Sequence, residues 1–283
     1  MKFTYKNHRG ESIDFFNSPY ILTNHAFLDW TLNYQTINGI NTDFRMSPQQ
    51  KSFTVRIAPD ETEASDREEA FAEAIDNFVH VVSADLDTPG QLWTDQGEYL
   101  SCRIITSNKS EWMVYGRNVT IACVLLTERP VWVSEHNYTF EPEEAQTYEY
   151  LDYNYGFLYD FMAKLPGYSG AQNSGTEPAN FRLKLYQGTN PFVVMNGIKV
   201  GVNTMIGEDE YVLIDSSNQT VTKYKHNGIT ENLFNLRTKG EKSIFERLPV
   251  GDISLMWNGA FAFDLTILEE RREAKWTLSL QTP

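Results

Sequence analysis

Apolar and polar positions alternate with a period of two along most of this chain, and the alternation predicts a succession of short strands. Lys2–Lys6 and Ser12–Phe16 flank the turn-rich Asn7-His8-Arg9-Gly10 and predict an opening hairpin. Lys51–Ile57 sets Phe53, Val55 and Ile57 on one face and stops at Pro59. Tyr99–Thr106 and Glu111–Tyr115, separated by Ser107-Asn108-Lys109-Ser110, predict a further hairpin, and Asn118–Leu126 runs on from Gly116-Arg117. The period changes once. Ala70, Phe71, Ala74, Ile75, Phe78, Val79 and Val82 fall on one helical face. Ser65 with Glu68 reads as a capping box, acids fill the first turn, and Pro89-Gly90 supplies the stop. A helix over 65–83 packed on a sheet accounts for that face. The first half is therefore an α+β unit.

Between about Glu128 and Ser174 the pattern breaks. Pro130, Pro142 and Pro166 punctuate it, Glu141–Glu144 is acidic, and Tyr148, Tyr150, Tyr153, Tyr155 and Tyr159 cluster together. Gly167–Pro178 has the composition of a linker loop. Beyond it the pattern is strands only: Asn180–Tyr186, Phe192–Val194, Tyr211–Asp215, Thr220–Tyr224, Ile253–Trp257, Ala260–Leu268 and Lys275–Leu280. Asn196-Gly197, Asn227-Gly228 and Asn258-Gly259 separate some of them, as in a β-sandwich or jelly roll. Two domains follow: 1–132 with the helix, and 133–283 as linker plus sandwich. The class is mainly β with an α+β amino-terminal part.

Composition narrows the function. The chain has 283 residues, and 24 Lys+Arg against 38 Asp+Glu (24 − 38) leaves a formal charge of −14. That balance argues against nucleic acid as a partner. No apolar run approaches a membrane span, and Met1–Lys6 has no apolar signal core, so neither a membrane nor export is expected. Without export the Asn-x-Ser/Thr triplets at Asn108, Asn118, Asn137 and Asn218 are chance matches, and Cys102 and Cys123 read as buried free thiols, a disulfide across the predicted hairpin being the other option.

No phosphate loop, dinucleotide fingerprint, His-Glu-x-x-His or Cys-x-x-Cys is present, and His8, His25, His80, His136 and His226 show no metal-ligand spacing. Among so many carboxylates a glycosidase-like pair arises by chance. Asp85-Leu86-Asp87 and Glu208-Asp209-Glu210 lack the calcium-loop spacing and read as acidic loops. No catalytic, cofactor or metal residue is assigned, and no enzyme is expected. The tyrosine cluster has two readings: a platform for sugar or protein, or a clasp that docks the connecting segment.

Several stretches, in order, are similar to segments of one known protein family. Asp95-Gln96-Gly97-Glu98-Tyr99-Leu100-Ser101-Cys102-Arg103 is similar to the family's strand after the helix, and Tyr150-Leu151-Asp152-Tyr153-Asn154-Tyr155 to its Tyr/Asp-rich crossover. Gly207–Asp215 with Thr220-Val221-Thr222, then Asn227-Gly228, Asn232 and Phe245-Glu246-Arg247-Leu248-Pro249-Val250-Gly251-Asp252, resemble its late hairpin and Leu-Pro-x-Gly turn. Val250 and Asp252 depart from the usual Pro and Asn there. Together these stretches resemble the distal tail protein family of siphophages that infect Gram-positive hosts, and the resemblance implies a virion structural protein, made and assembled in the host cytoplasm and located at the distal end of the tail. It implies an amino-terminal domain that forms a hexameric ring and a carboxy-terminal galectin-like sandwich. Its implied partners are the tail tube, tail-tip or tail-associated, and receptor-binding or baseplate proteins. The alternative is a carbohydrate-binding β-sandwich module, since fold alone does not set function. A ring of such acidic subunits requires seams depleted in Asp and Glu, or acids that meet a neighbour's Lys and Arg.

Overall fold

A computed structural model describes residues 1–59, 64–112, 119–142 and 168–276. The chain forms two compact units, Met1–Ser134 with Arg271–Pro283, and Glu135–Glu270. The carboxy-terminal end, which the strand pattern assigned to the second domain, thus groups with the first. Ala274 is buried in the core of unit 1, and the Lys275 N–H donates to Glu98 Oε2 at 2.7 Å. Lys275 and Trp276 are not in a strand.

In unit 1 the strands are β1 (Phe3–Lys6), β2 (Ser12–Asp14), β3 (Tyr20–His25), β4 (Asn33–Ile37), β5 (Ile40–Arg45) and β6 (Gln49–Ile57). Helix α1 (Ala64–Ser83) comes next, then β7 (Gly90–Thr94), β8 (Glu98–Trp112), β9 (Val119–Thr127) and the start of β10 (Trp132–Phe140). All their pairings are antiparallel. β2, β1 and β7 line up beside the first half of β8, where Trp93 faces Tyr99 and Gly90 faces Cys102. The second half of β8 pairs with β9, then β6, then β3. One long strand therefore serves two sheets. Register shifts at Ile104/Thr106 and Lys109/Glu111 let it do so, because a bulge bends and twists a strand. They also explain why Ser107–Ser110, read as a loop from composition, lies inside a strand. The expected continuation to Tyr115 lies outside the described residues.

Inner faces follow the alternation: Phe53, Val55 and Ile57 on β6, and Val119, Ile121, Cys123 and Leu125 on β9, are all buried. The helix adds Ala74, Phe78, Val81 and Val82 to this core. Val79, assigned to the buried face, is 38% exposed and Val81 replaces it. The seam runs along 74, 78, 81 and 82, which is the i, i+4, i+7, i+8 stripe. Tyr20 fixes the helix over the sheet by donating to the Ala74 carbonyl at 2.8 Å while accepting from Asn77 at 2.9 Å. The side chains of Ser65 and Glu68 lie outside the described residues.

Unit 2 holds the remainder of β10, then β11 (Tyr168–Asn173), β12 (Asn180–Leu185), β13 (Gly188–Thr189), β14 (Phe192–Met195) and β15 (Ile198–Gly201). β16 (Met205–Ile206), β17 (Tyr211–Asp215), β18 (Thr220–Tyr224), β19 (Thr230–Asn232), β20 (Gly251–Met256) and β21 (Phe263–Arg271) complete it. One sheet runs β19-β18-β17-β12-β21, with Glu135–Phe140 beyond β21, and the other runs β11-β20-β14-β15. Their apolar faces, including Leu183, Ile214, Leu265, Val193 and Leu255, close on one core, so the unit is a β-sandwich. Tyr168–Asn173, read as linker, pairs along its whole length with β20. Its small and polar residues are those of a sheet margin, which composition alone does not distinguish from a loop.

The β14–β15 hairpin turns at Asn196-Gly197, both with positive φ. At its open end an added Cβ on Gly201 would meet the Pro191 carbonyl oxygen at 2.3 Å and Phe192 Cα at 2.6 Å. Both are backbone and neither side can yield without moving a strand. Gly201→Ala is expected to destabilise unit 2 by about 1–3 kcal/mol, read as a lower urea midpoint.

Candidate functional site

The feature that stands out in unit 1 is the β4–β5 hairpin, which contributes no buried side chain to either core. Asn38-Gly39 makes its turn with φ of 51° and 78°, the paired positive values of a type I′ hairpin. Ile37 then faces Ile40, Thr36 faces Asn41 and Gln35 faces Thr42. The register shifts between Asn33 and Gln35, where Asp43 takes a φ of 56°. Tyr34 and Phe44 rings meet at 5.8 Å, and Asp43 pairs with Arg45 at 2.7 Å. Tyr34, Ile37, Ile40 and Phe44 are each 55% exposed or more. A lone two-stranded hairpin is marginal in water, and apolar groups left in solvent on this scale mark a contact surface. The only charges between residues 31 and 50 are Asp43 and Arg45, so this arm is neutral on a chain of −14. No periodicity pointed to it, because no position in either strand is buried. Asn38-Gly39 between short β-branched and aromatic runs was the signal available.

The residues weighed for chemistry lie apart. Cys102 and Cys123 are free and buried. Burial pushes the Cys123 thiol up to about 12 and Cys102 higher still, so neither is a thiolate nucleophile at neutral pH. Asp85 is buried and accepts from the Tyr5 hydroxyl and from the His8 N–H at 2.9 Å, with His8 Nδ1 at 2.7 Å. Glu210 accepts from the Gly207 N–H and pairs with Lys223 at 2.6 Å. These acids hold loops. Among the described residues no three His, Cys, Asp or Glu gather as a metal site.

Ser174, His136 and Glu269 meet in unit 2, but not in the order that catalysis needs. The Ser174 hydroxyl and N–H both donate to Glu269 Oε1, at 2.5 and 2.8 Å, and His136 Nε2 lies 3.2 Å from Oε2. The carboxylate takes the hydroxyl that a histidine base would have to activate. Burial pushes the Glu269 carboxyl upward, yet Ser174 and His136 outweigh it and hold the group below the ordinary range. A depressed carboxyl stabilises the fold above its unfolded pKa, and that contribution is lost as pH falls through the folded value. Glu269→Gln is expected to cost about 1–3 kcal/mol near neutrality and to flatten the acid limb of a stability–pH curve.

The outward face of the larger sheet of unit 2 is polar and aromatic. Tyr211 stacks on Tyr224 at 4.7 Å, and Lys184 sits 4.3 Å from the Tyr211 ring and 4.8 Å from Tyr186. Tyr186 donates to Asp264 at 2.5 Å, Arg182 pairs with Glu135 at 2.6 Å, and Thr266 donates to Asn137 at 2.6 Å. These side chains already engage one another and present no convergent set of open donors. The sequence cluster from Tyr148 to Tyr159 lies outside the described residues.

With this architecture known, solved structures supply the comparison. The Dit protein of phage SPP1, described as a paradigm of the hub adsorption apparatus in phages infecting Gram-positive hosts, aligns with a TM-score of 0.55 at 12% identity. The alignment covers 95% of this chain and 99% of that one. The chain has the fold of a phage tail hub. A chain of the phage P2 baseplate, in its activated conformation with calcium, aligns at TM-score 0.58 and 15% identity, over 96% of this chain and 99% of its own. The strontium form of that baseplate gives 0.55 at 15% identity, with the same two coverages. No family model and no curated protein matches the sequence. The hub fold spans both units, and the helix and sandwich expected from sequence are present in it.

Proposed function

We propose that the chain is a structural protein of a phage tail, the hub at its distal end that links the tail tube to the tail tip or baseplate. The observation that carries this reading is the end-to-end match to tail hub folds, which spans 95% or more of both chains. In this reading the amino-terminal domain assembles six copies into a ring, and the galectin-like sandwich carries or contacts receptor-binding parts. Assembly takes place in the host cytoplasm, without nucleic acid or membrane as partner and without catalysis. A ring of rotating, non-identical contacts needs two different patches per subunit. The β4–β5 arm supplies one of them, and its neutrality answers the repulsion that −14 per subunit would otherwise impose.

Light scattering on the purified chain, alone and with its tube and tail-tip partners, tests the reading. A hexamer, or a dodecamer of two rings, supports it. A strict monomer that also ignores those partners overturns it.

A further inference from the structure

Two tryptophans from opposite ends of unit 1's sequence line one cleft. Trp30 and Trp276, 43% and 70% exposed, border a space of about 560 Å³ together with His25, Leu28, Asp29 and Glu273. Indoles are ordinarily drawn inward, as Trp132 is at 1% exposure. Local anchors hold this pair out. Phe27 is fully buried, the Ala26 N–H donates to the Ser52 carbonyl at 2.9 Å, and the Lys51 ammonium donates to the Asp29 carbonyl. Together these leave Leu28 packed against the core and turn Asp29 and Trp30 outward. On the other wall, buried Ala274 and the Lys275–Glu98 hydrogen bond of 2.7 Å seat the segment bearing Glu273 and Trp276. The Trp276 indole N–H donates to Glu273, which occupies the polar edge of the ring and leaves its π faces.

Two carboxylates line the cleft, with the Lys51 ammonium beside Asp29 and the Arg272 guanidinium beside Trp30. The carboxylates are those of Asp29 and Glu273, and neither closes an ion pair among the described residues. His25 stacks on Phe27 at 5.0 Å and meets Phe3 edge-on at 5.0 Å. The desolvation this brings lowers its basicity against the pull of Asp29, so the imidazole adds no positive charge at neutral pH. A cation of the chain already sits over one ring, with the Arg272 guanidinium 5.5 Å from the Trp30 centroid.

We propose that this cleft is a cation–π site that takes an organic ammonium group, either an alkylated ammonium or the ε-ammonium of a lysine. The exposed Trp276 indole offers the open quadrupole, the Trp30 ring that Arg272 already engages forms the other wall, and Glu273 and Asp29 place carboxylates at the rim. Hydration selects against simple ions, since sodium would surrender a strongly held water shell to enter while an alkylated ammonium surrenders little. This inference is independent of the tail-hub reading.

The test is a titration of the full chain with tetramethylammonium chloride, followed by tryptophan fluorescence. Sodium chloride at matched ionic strength and tert-butanol, a neutral group of similar size, serve as controls. A parallel arm uses Nα-acetyl-lysine methylamide. The expected result is a saturable response in the millimolar range to the ammonium probes and only linear drift with the controls. Trp276→Ala is expected to weaken binding by about 5- to 30-fold. Glu273→Gln keeps both indoles and an oxygen acceptor for the Trp276 N–H, and is expected to weaken binding several-fold with the melting temperature unchanged. A stronger response to the lysine model supports the site with a protein side chain as occupant, and a stronger response to tetramethylammonium supports it with a methylated ammonium ligand. Unsaturable changes equal to those of tert-butanol, or binding that survives both variants, would overturn the proposal.

Discussion

Aspartate in place of Ile37, Ile40 and Phe44 is expected to leave a folded chain that no longer self-associates. All three side chains lie on the exposed arm and belong to neither buried core, so the subunit loses no interior contact when they change. Burying such a side chain contributes roughly 1.5–3 kcal/mol, so removing three at a contact takes away more than most assemblies hold in reserve. The new carboxylates add repulsion on a chain that already carries −14. Light scattering should report the subunit mass while the thermal transition stays within a few degrees of the parent. A triple variant that assembles like the parent would remove the arm from the contact without touching the hub reading. A parent that is monomeric even with its tail partners would undo that reading instead.

Asp85→Ala is expected to cost unit 1 about 3–5 kcal/mol, because it breaks a buried charged network by removing one partner. The Tyr5 hydroxyl and the His8 N–H would lose their acceptor inside the protein, where an unmatched donor costs its full desolvation. Burial first, and Asp85 second, already push the Tyr5 phenol far above its ordinary value, so it remains a neutral donor across the accessible pH range. The space cannot readjust by collapse. Gly90 abuts the pair so closely that a Cβ there would meet Asp85 Oδ2 at 2.3 Å and the Tyr5 hydroxyl at 2.7 Å. Asp85→Asn keeps the shape but turns one acceptor into a donor, and should fall between parent and alanine in urea unfolding. A loss below about 1 kcal/mol for the alanine variant would mean that the network behaves like a surface pair.

Burial periodicity explains what could be read in advance. Val55 on β6 and Val212 on β17 were legible because a strand buried on one face writes that fact into every second residue. The helix was legible over nearly its full length for the same reason at a different period, and only the swap of Val79 for Val81 escaped. The β4–β5 arm was not legible from pattern, since a hairpin without a buried residue has no buried face to alternate with. Ser107–Ser110 misled because bulges admit polar residues into a continuous strand. Tyr168–Asn173 misled because a strand of small polar residues and a linker have the same composition.

By itself the sequence determined a mainly β chain with one long helix, two β-rich modules, a charge of −14 and no recognised catalytic motif. These are local or additive properties, and each residue reports its share of them. Only the tertiary structure decided that Asp85 is bound to Tyr5 and His8, that the neutral arm stands exposed, and that Trp30 and Trp276 share a cleft. Such pairings depend on strand register and chain path, which place distant residues together for reasons that neither residue carries alone.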